Sequence, residues 1–233
     1  MRAVTLAVRD VHVKLSGLVV LRGVTFDVPA ASIIGLVGRN GAGKTTTLKS
    51  IAGLVPVVSG SITLDGQELT RLAPHRRPRL GLGYLPGYLP EDRRLIGSLT
   101  VEENLLLPVW ATQRRESVPL LAKLYELMPE VKALAGRRAT SLSGGQQKMV
   151  ALGRAMMTSS RLLLLDEPLE GLSPALCRRL ADVVRSIPGA AVLVTESDIN
   201  RMAMMTDRIY TIERGAIVGS AGGRPSSSSP TSA

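Results

Sequence analysis

Over the first 28 residues, apolar positions come in short stretches broken by polar ones. Val11-His12-Val13, Val19-Val20-Leu21 and Val24-Thr25-Phe26 predict β segments between Val4 and Val28. Ile33-Ile34-Gly35-Leu36-Val37 is continuously apolar, as in a strand buried on both faces. A glycine-rich turn follows, then a predicted helix from about Lys44 to Ala52. Ser61-Ile62-Thr63-Leu64 ahead of Asp65-Gly66 predicts a strand entering a hairpin turn. Leu82 to Leu85 reads as a further strand. From about Thr100 to Met157 the period turns helical. Thr100-Val101-Glu102-Glu103 has the capping-box form of a helix start, Leu120 to Met128 has helical spacing, and Ser143 to Met157 is a third helix. Leu162 to Leu165 and Ala190 to Thr195 predict two more core strands, with a helix from Leu176 to Ile187 between them. Arg208 to Ile212 and Ala216 to Val218 form a closing hairpin around Arg214-Gly215. The pattern defines an α/β core with an antiparallel β edge and an inserted helical part.

Composition narrows this picture only a little. At 233 residues, 45% hydrophobic and 21% charged, the chain suits one domain, or one with a subdomain, around a real core. Aromatics make up 3%, so base-stacking platforms and a nucleic-acid partner are not expected. The net charge of +10 suits phosphates or an anionic membrane face, and equally an arginine-rich surface. The single cysteine, Cys177, excludes an internal disulfide and reads as a small buried hydrophobe in a helix. His12 and His75 lie far apart and are assigned no chemistry. No secretory core follows Met1-Arg2, and no apolar run reaches the roughly 18 residues of a membrane helix. The chain is therefore expected to be cytosolic and to reach a membrane only through a spanning partner. From about Gly222 the tail is rich in Ser, Pro and Gly and is expected to lack fixed structure.

Three segments carry chemistry. Gly38-Arg39-Asn40-Gly41-Ala42-Gly43-Lys44-Thr45 matches the P-loop pattern in full, between a buried strand and a helix. Its glycines let backbone N–H groups wrap phosphates, and the helix N-terminus adds positive potential. Lys44 is expected to reach the β- and γ-phosphates, Thr45 to ligate Mg²⁺, and Thr46 to complete the nucleotide site. Asp166, at the end of Leu162-Leu163-Leu164-Leu165, is expected to hold Mg²⁺ through water, and Glu167 to act as general base on the attacking water. Leu142-Ser143-Gly144-Gly145-Gln146 is the third segment. Ser143 and Gln146 form a capping-box pair, which leaves the two glycines unexplained. Bare N–H groups at a helix start make a second phosphate site, so one chain carries two half-sites.

The order of P-loop, LSGGQ and Asp166-Glu167 resembles the ATP-binding cassette (ABC) family, over nearly the whole chain to about Val218. The resemblance implies a RecA-like P-loop NTPase core with an antiparallel β subdomain and an inserted α-helical subdomain at about 92–157, within a domain spanning 1–221. It implies ATP and Mg²⁺ as cofactors. It also implies a second ATP-binding subunit, identical or a paralogue, closing head-to-tail so that Ser143 and Gly145 touch the γ-phosphate held by the opposite chain. Integral-membrane permease subunits are the other implied partners, at the cytoplasmic face of the cell membrane. Pro74-His75-Arg76-Arg77, Glu91-Asp92-Arg93-Arg94, Leu99-Thr100-Val101-Glu102-Glu103-Asn104, Leu142 to Met157, and Asp166-Glu167-Pro168 through Gly171-Leu172-Ser173-Pro174 resemble the subunits of branched-chain amino-acid importers. Urea and other amide importers have similar subunits.

Four positions depart from the family's general pattern. Leu15 stands where a base-stacking aromatic is expected. Glu91 stands at the Q-loop glutamine, where it is expected to serve the Mg²⁺ and catalysis. Ser173 replaces the D-loop aspartate, and Ser197 the switch histidine, from which it is expected to reach the γ-phosphate through water. In addition, Gly83-Tyr84-Leu85-Pro86 recurs as Gly87-Tyr88-Leu89-Pro90, just ahead of Glu91, and is expected to affect coupling more than ATP binding. Two other functions fit fewer residues. A chromosome or repair ATPase would need coiled-coil heptads that the chain lacks. An ATP-gated clamp with little hydrolysis suits Ser197 and Leu15 but not Glu167.

Overall fold

The computed structural model describes residues 4–87, 95–113 and 117–222. Two sheets enclose helix α1 (Lys44–Ala52). The first is antiparallel, in the order β2-β1-β4-β5, from β1 (Val4–Leu15), β2 (Leu18–Pro29), β4 (Ser59–Leu64) and β5 (Gln67–Glu68). The second has the order β10-β9-β3-β8-β7-β6. Here β3 (Ile33–Val37), β6 (Leu82–Leu85), β7 (Leu162–Asp166), β8 (Ala191–Glu196) and β9 (Arg208–Glu213) run parallel, and β10 (Ala216–Gly222) closes the edge antiparallel to β9.

The short apolar stretches near the N-terminus are parts of two long strands. Asp10 adopts φ +48° and Gly23 φ +73°, and the β1–β2 register shifts between Val8 and Val11. Each bulge resets the in–out alternation, so one strand reads as several. In β7 the pattern runs without a break because both faces are covered. Leu162 and Leu164 face the β1–β2–β4 side, while Leu163 and Leu165 face the helices on the other.

Between β6 and β7 lie α2 (Val101–Thr112), α3 (Ser117–Leu127), α4 (Pro129–Lys132) and α5 (Gly144–Met156). Thr100 caps α2 in a reciprocal box with Glu103, as its sequence form predicts. Asn104 explains more of the same motif. It is fully buried, accepts from Ile96 N–H at 2.8 Å and donates to the carbonyls of Ile96 and Thr100, tying the loop at 96–100 to the first turn of α2. Helix α6 (Pro174–Arg185) starts two residues earlier than its apolar period, because Ser173 caps it and Pro174 suits the first turn. The 3-10 segment Pro74–Leu80 and the short α7 (Ile199–Ala203) have no periodic signal long enough to announce them. Cys177 lies buried in α6, as expected. Among the described residues, no helix is long and apolar enough to cross a membrane.

Candidate functional site

The carboxyl ends of three neighbouring strands, β3, β8 and β7, meet at one point. Val37 is in register with Glu196, and Thr195 with Asp166. The loop 38–43 leaves β3 and turns into α1 at Gly43, whose φ is +110°. A Cβ at Gly43 would come within 2.8 Å of Leu21 Cδ2, so both backbone shape and space require glycine. Helix α1 has no side-chain cap and no acid in its first turn. Its leading N–H groups are thus left for an anion. An open cavity of roughly 360 Å³ lies over them, lined by Asn40, Gly41, Gly43, Lys44, Thr45 and Thr46, with Val20, Glu167 and Glu170 opposite. Gly38, Arg39 and Ala42 line its neighbour on the β9 side.

Lys44 is 4% exposed and surrounded by oxygens. Its Nζ donates to the carbonyls of Gly38 at 2.7 Å and Arg39 at 3.2 Å and to Ser197 Oγ at 3.2 Å, and it pairs with Glu167 Oε1 at 3.1 Å. Ser197 Oγ also lies 2.9 Å from Glu167 Oε1 and 2.9 Å from Asn40 Oδ1. Its one proton serves these two acceptors in turn while it accepts from Lys44. Glu167 adopts φ +45°, which costs a residue with a side chain about 1–2 kcal/mol. Its N–H is held by Thr195 O and Oγ1, both at 3.1 Å.

Asp166 is 1% exposed. Its Oδ1 accepts from Thr45 Oγ1 at 3.1 Å and Thr195 Oγ1 at 2.7 Å. Two hard oxygen donors, Thr45 and Asp166, therefore face one point, which fits Mg²⁺, a cation that takes few protein ligands beside phosphate and water. Among the described residues no group of three or more His, Cys, Asp and Glu could hold a metal by itself.

Ser143 is the N-cap of α5, where Ser143 N donates to Gln146 Oε1 at 2.9 Å and Ser143 Oγ accepts from Gln146 N at 3.3 Å. Gly144 faces open space. None of residues 143–146 lines either cavity beside the P-loop. Leu15 sits at the tip of the β1–β2 hairpin, paired with Leu18, and the hairpin residue that lines the P-loop cavity is Val20. Glu91 and the second tetrapeptide from Tyr88 onward lie outside the described residues. The first tetrapeptide supplies three of the four residues of β6, with Gly83, Tyr84 and Leu85 paired to Leu163, Leu164 and Leu165. Gly87 comes so close to β7 that a Cβ there would be 2.6 Å from Asp166 O. Burial, with Asp166 nearby, pushes the Tyr84 phenol above its usual range. Motif reading missed Val20, Glu170, Thr195, Lys148 and Glu196. Only the buried run ahead of Ser197 hinted at Thr195 and Glu196.

Fold and site together define a P-loop nucleotide-binding ATPase. The chain belongs to the ABC transporter family, whose profile matches residues 21–170. It is 36% identical over 200 residues to the high-affinity branched-chain amino acid transport ATP-binding protein BraG of Pseudomonas aeruginosa, covering 85% of this chain and 84% of BraG. It is 34% identical to the probable branched-chain amino acid transport ATP-binding protein LivF of Archaeoglobus fulgidus, covering 85% and 84%. It is also 30% identical to the lipopolysaccharide export system ATP-binding protein LptB of Escherichia coli K12, covering 92% and 89%. Its fold matches that of an ATP-binding cassette of an ABC transporter in the ADP conformation, with a TM-score of 0.80 at 24% identity, covering 94% and 91%. The chain is thus an ATP hydrolase of the ABC type, coupled to transport. Subunits of this kind work with membrane permease subunits.

Proposed function

We propose that this chain powers an importer of branched-chain amino acids or similar small polar solutes. It would work at the cytoplasmic face of the membrane, paired head-to-tail with a second ATP-binding subunit. The observation that carries the catalytic part is the convergence of Lys44, Asp166, Glu167 and Ser197 on the start of α1. In this reading the N–H groups of the loop and of the first turn of α1 bind the phosphates, and Lys44 takes the β- and γ-phosphates. Thr45 and Asp166 would hold Mg²⁺, which when bound would neutralise charge on the phosphates. Glu167 takes a proton from the attacking water, and Ser197 orients its carboxylate. Phosphate oxygens entering the loop compete with Glu167 for the Lys44 ammonium. Gly144, open to solvent at the start of α5, supports a role for the signature segment toward a second chain. The Mg²⁺ role of Glu91 rests on the resemblance alone.

BraG and LivF, both named as branched-chain amino acid transport proteins, support the import reading. The likeness to LptB, at 30% identity, favours export as the second reading. Lys44→Ala tests the site and should abolish ATP binding while leaving the melting transition in place. A variant that binds ATP as tightly as the wild type would refute the assignment. Uptake of labelled leucine in a strain deleted for this chain separates the two directions. Unchanged leucine uptake together with a lipid export defect would establish the second.

A further inference from the structure

The turn that follows β7 is pinned from two sides by buried ionisable groups to which the motifs assign no role. Lys148, on the signature helix α5, is 4% exposed. Its Nζ donates to the Glu170 carbonyl at 2.6 Å and to the Glu167 carbonyl at 3.3 Å. On the other side Glu196, the last residue of β8, is 2% exposed. Its Oε1 accepts the Leu169 N–H at 3.1 Å. Burial pushes the Glu196 carboxyl above the usual carboxylate range, against the smaller opposing pull of the Leu169 N–H, Arg201 and Lys148. Two ionisable side chains from two elements are thus committed to the backbone of residues 167–170. Buried charge is unfavourable unless it is paired and hydrogen-bonded, so each group has little freedom to leave its partners. The residue at the head of the turn, Glu167, has φ +45°, a conformation it would abandon without such support.

The geometry points to Lys148 and Glu196 as positioning residues. They hold the 167–170 turn so that the Glu167 carboxylate stays aimed at Lys44 and Ser197. Lys148 acts from the helix that begins with Ser143, so it also links the signature segment to the strand end that carries Glu167. The alternative role is structural only, with Lys148 closing the ends of the turn for stability. That role predicts a lower melting temperature and leaves the aim of Glu167 unchanged.

This inference rests on Glu167 as general base, and its test keeps the two apart. Lys148→Met removes both bonds at nearly constant volume. In the full chain we expect kcat for ATP to fall tenfold or more while the ATP Kd is unchanged or tightens, because a Glu167 that has lost its aim no longer holds Lys44 against the phosphates. Amide exchange across residues 167–170 should rise tenfold or more. Lys148→Arg should recover at least half of kcat, and Glu196→Ala should repeat the Met pattern. In a Glu167→Gln background Lys148→Met should lower the residual rate no further. If the Met variant does not fold, Lys148→Gln, which keeps one amide donor, is measured in its place. Unchanged exchange, unchanged kcat, or kcat and Kd worsening together would overturn the inference. If Glu167→Gln alone turns over like wild type, the base assignment fails, and the exchange measurement still decides the positioning role.

Discussion

Glu167→Gln should tighten ATP binding as well as stop turnover, because Glu167 and the phosphates claim the same ammonium. The Lys44–Glu167 pair is 3.1 Å long, and Lys44 is 4% exposed against 20% for Glu167. At an effective dielectric of about 20 the gross attraction is about 5 kcal/mol. Solvent at Glu167 and the desolvation that the pair offsets reduce the net coupling to about 1–2 kcal/mol. Lys44 keeps its bonds to the Gly38 and Arg39 carbonyls in the variant, so the loop itself should not collapse. A phosphate that no longer displaces a carboxylate gains that coupling, which is about five- to thirtyfold in Kd. Turnover should drop about a hundredfold or more through loss of the base. The assay is equilibrium binding of ATP to wild type and variant, with hydrolysis followed in parallel. An unchanged or weaker Kd in the variant would refute the competition. Wild-type turnover would refute the base.

Arg77→Met should cost about 3–5 kcal/mol of folding free energy in denaturant titration, because it strips buried donors from the carbonyls of Ser50, Ile51, Leu69 and Leu72. Leu15→Tyr should restore a stacking face worth about 0.5–1.5 kcal/mol and so lower the ATP Kd about two- to tenfold in equilibrium binding. Ser197→His should raise steady-state hydrolysis, and no change would mean that the partner's site, or the position of the loop, sets the rate. Deleting one Gly-Tyr-Leu-Pro copy should leave ATP affinity near wild type while altering permease-stimulated hydrolysis or transport.

The core strands were readable because burial on both faces leaves no polar interruption, as in Leu162-Leu163-Leu164-Leu165. The P-loop was readable because its glycines answer to backbone shape, which only residue type can meet, as at Gly43. The β1–β2 hairpin was read in fragments, because bulges at Asp10 and Gly23 break the period that reveals a strand. Arg77 was quoted for its resemblance alone. Its real work is to cap the carboxyl end of α1, on which the P-loop is mounted, and nothing in a run of arginines distinguishes a buried cap from a solvated charge. Lys148 and Glu196 were missed for the same reason. Both make their bonds to main-chain atoms of residues far along the chain, and such pairings leave no spacing signal.

A serine at 197, taken alone, favours a clamp that holds ATP without cleaving it, since a hydroxyl neither titrates near neutral pH nor reaches as far as an imidazole. The geometry weighs against that. Ser197 follows directly on Glu196, whose buried carboxylate is anchored on the Leu169 N–H, so the end of β8 is held at the site. From there the hydroxyl lies within 3.2 Å of Lys44 and 2.9 Å of Glu167 without any bridging group. Orienting a carboxylate requires one well-placed donor, and Ser197 supplies one whichever way the ring of a larger residue would have turned. A clamp also has no use for a strained residue. Glu167 at φ +45°, held by Thr195 and by a bond from Lys148, is conformational strain kept at the position proposed for the base. The short side chain at 197 and the strained one at 167 therefore fit one hydrolytic arrangement.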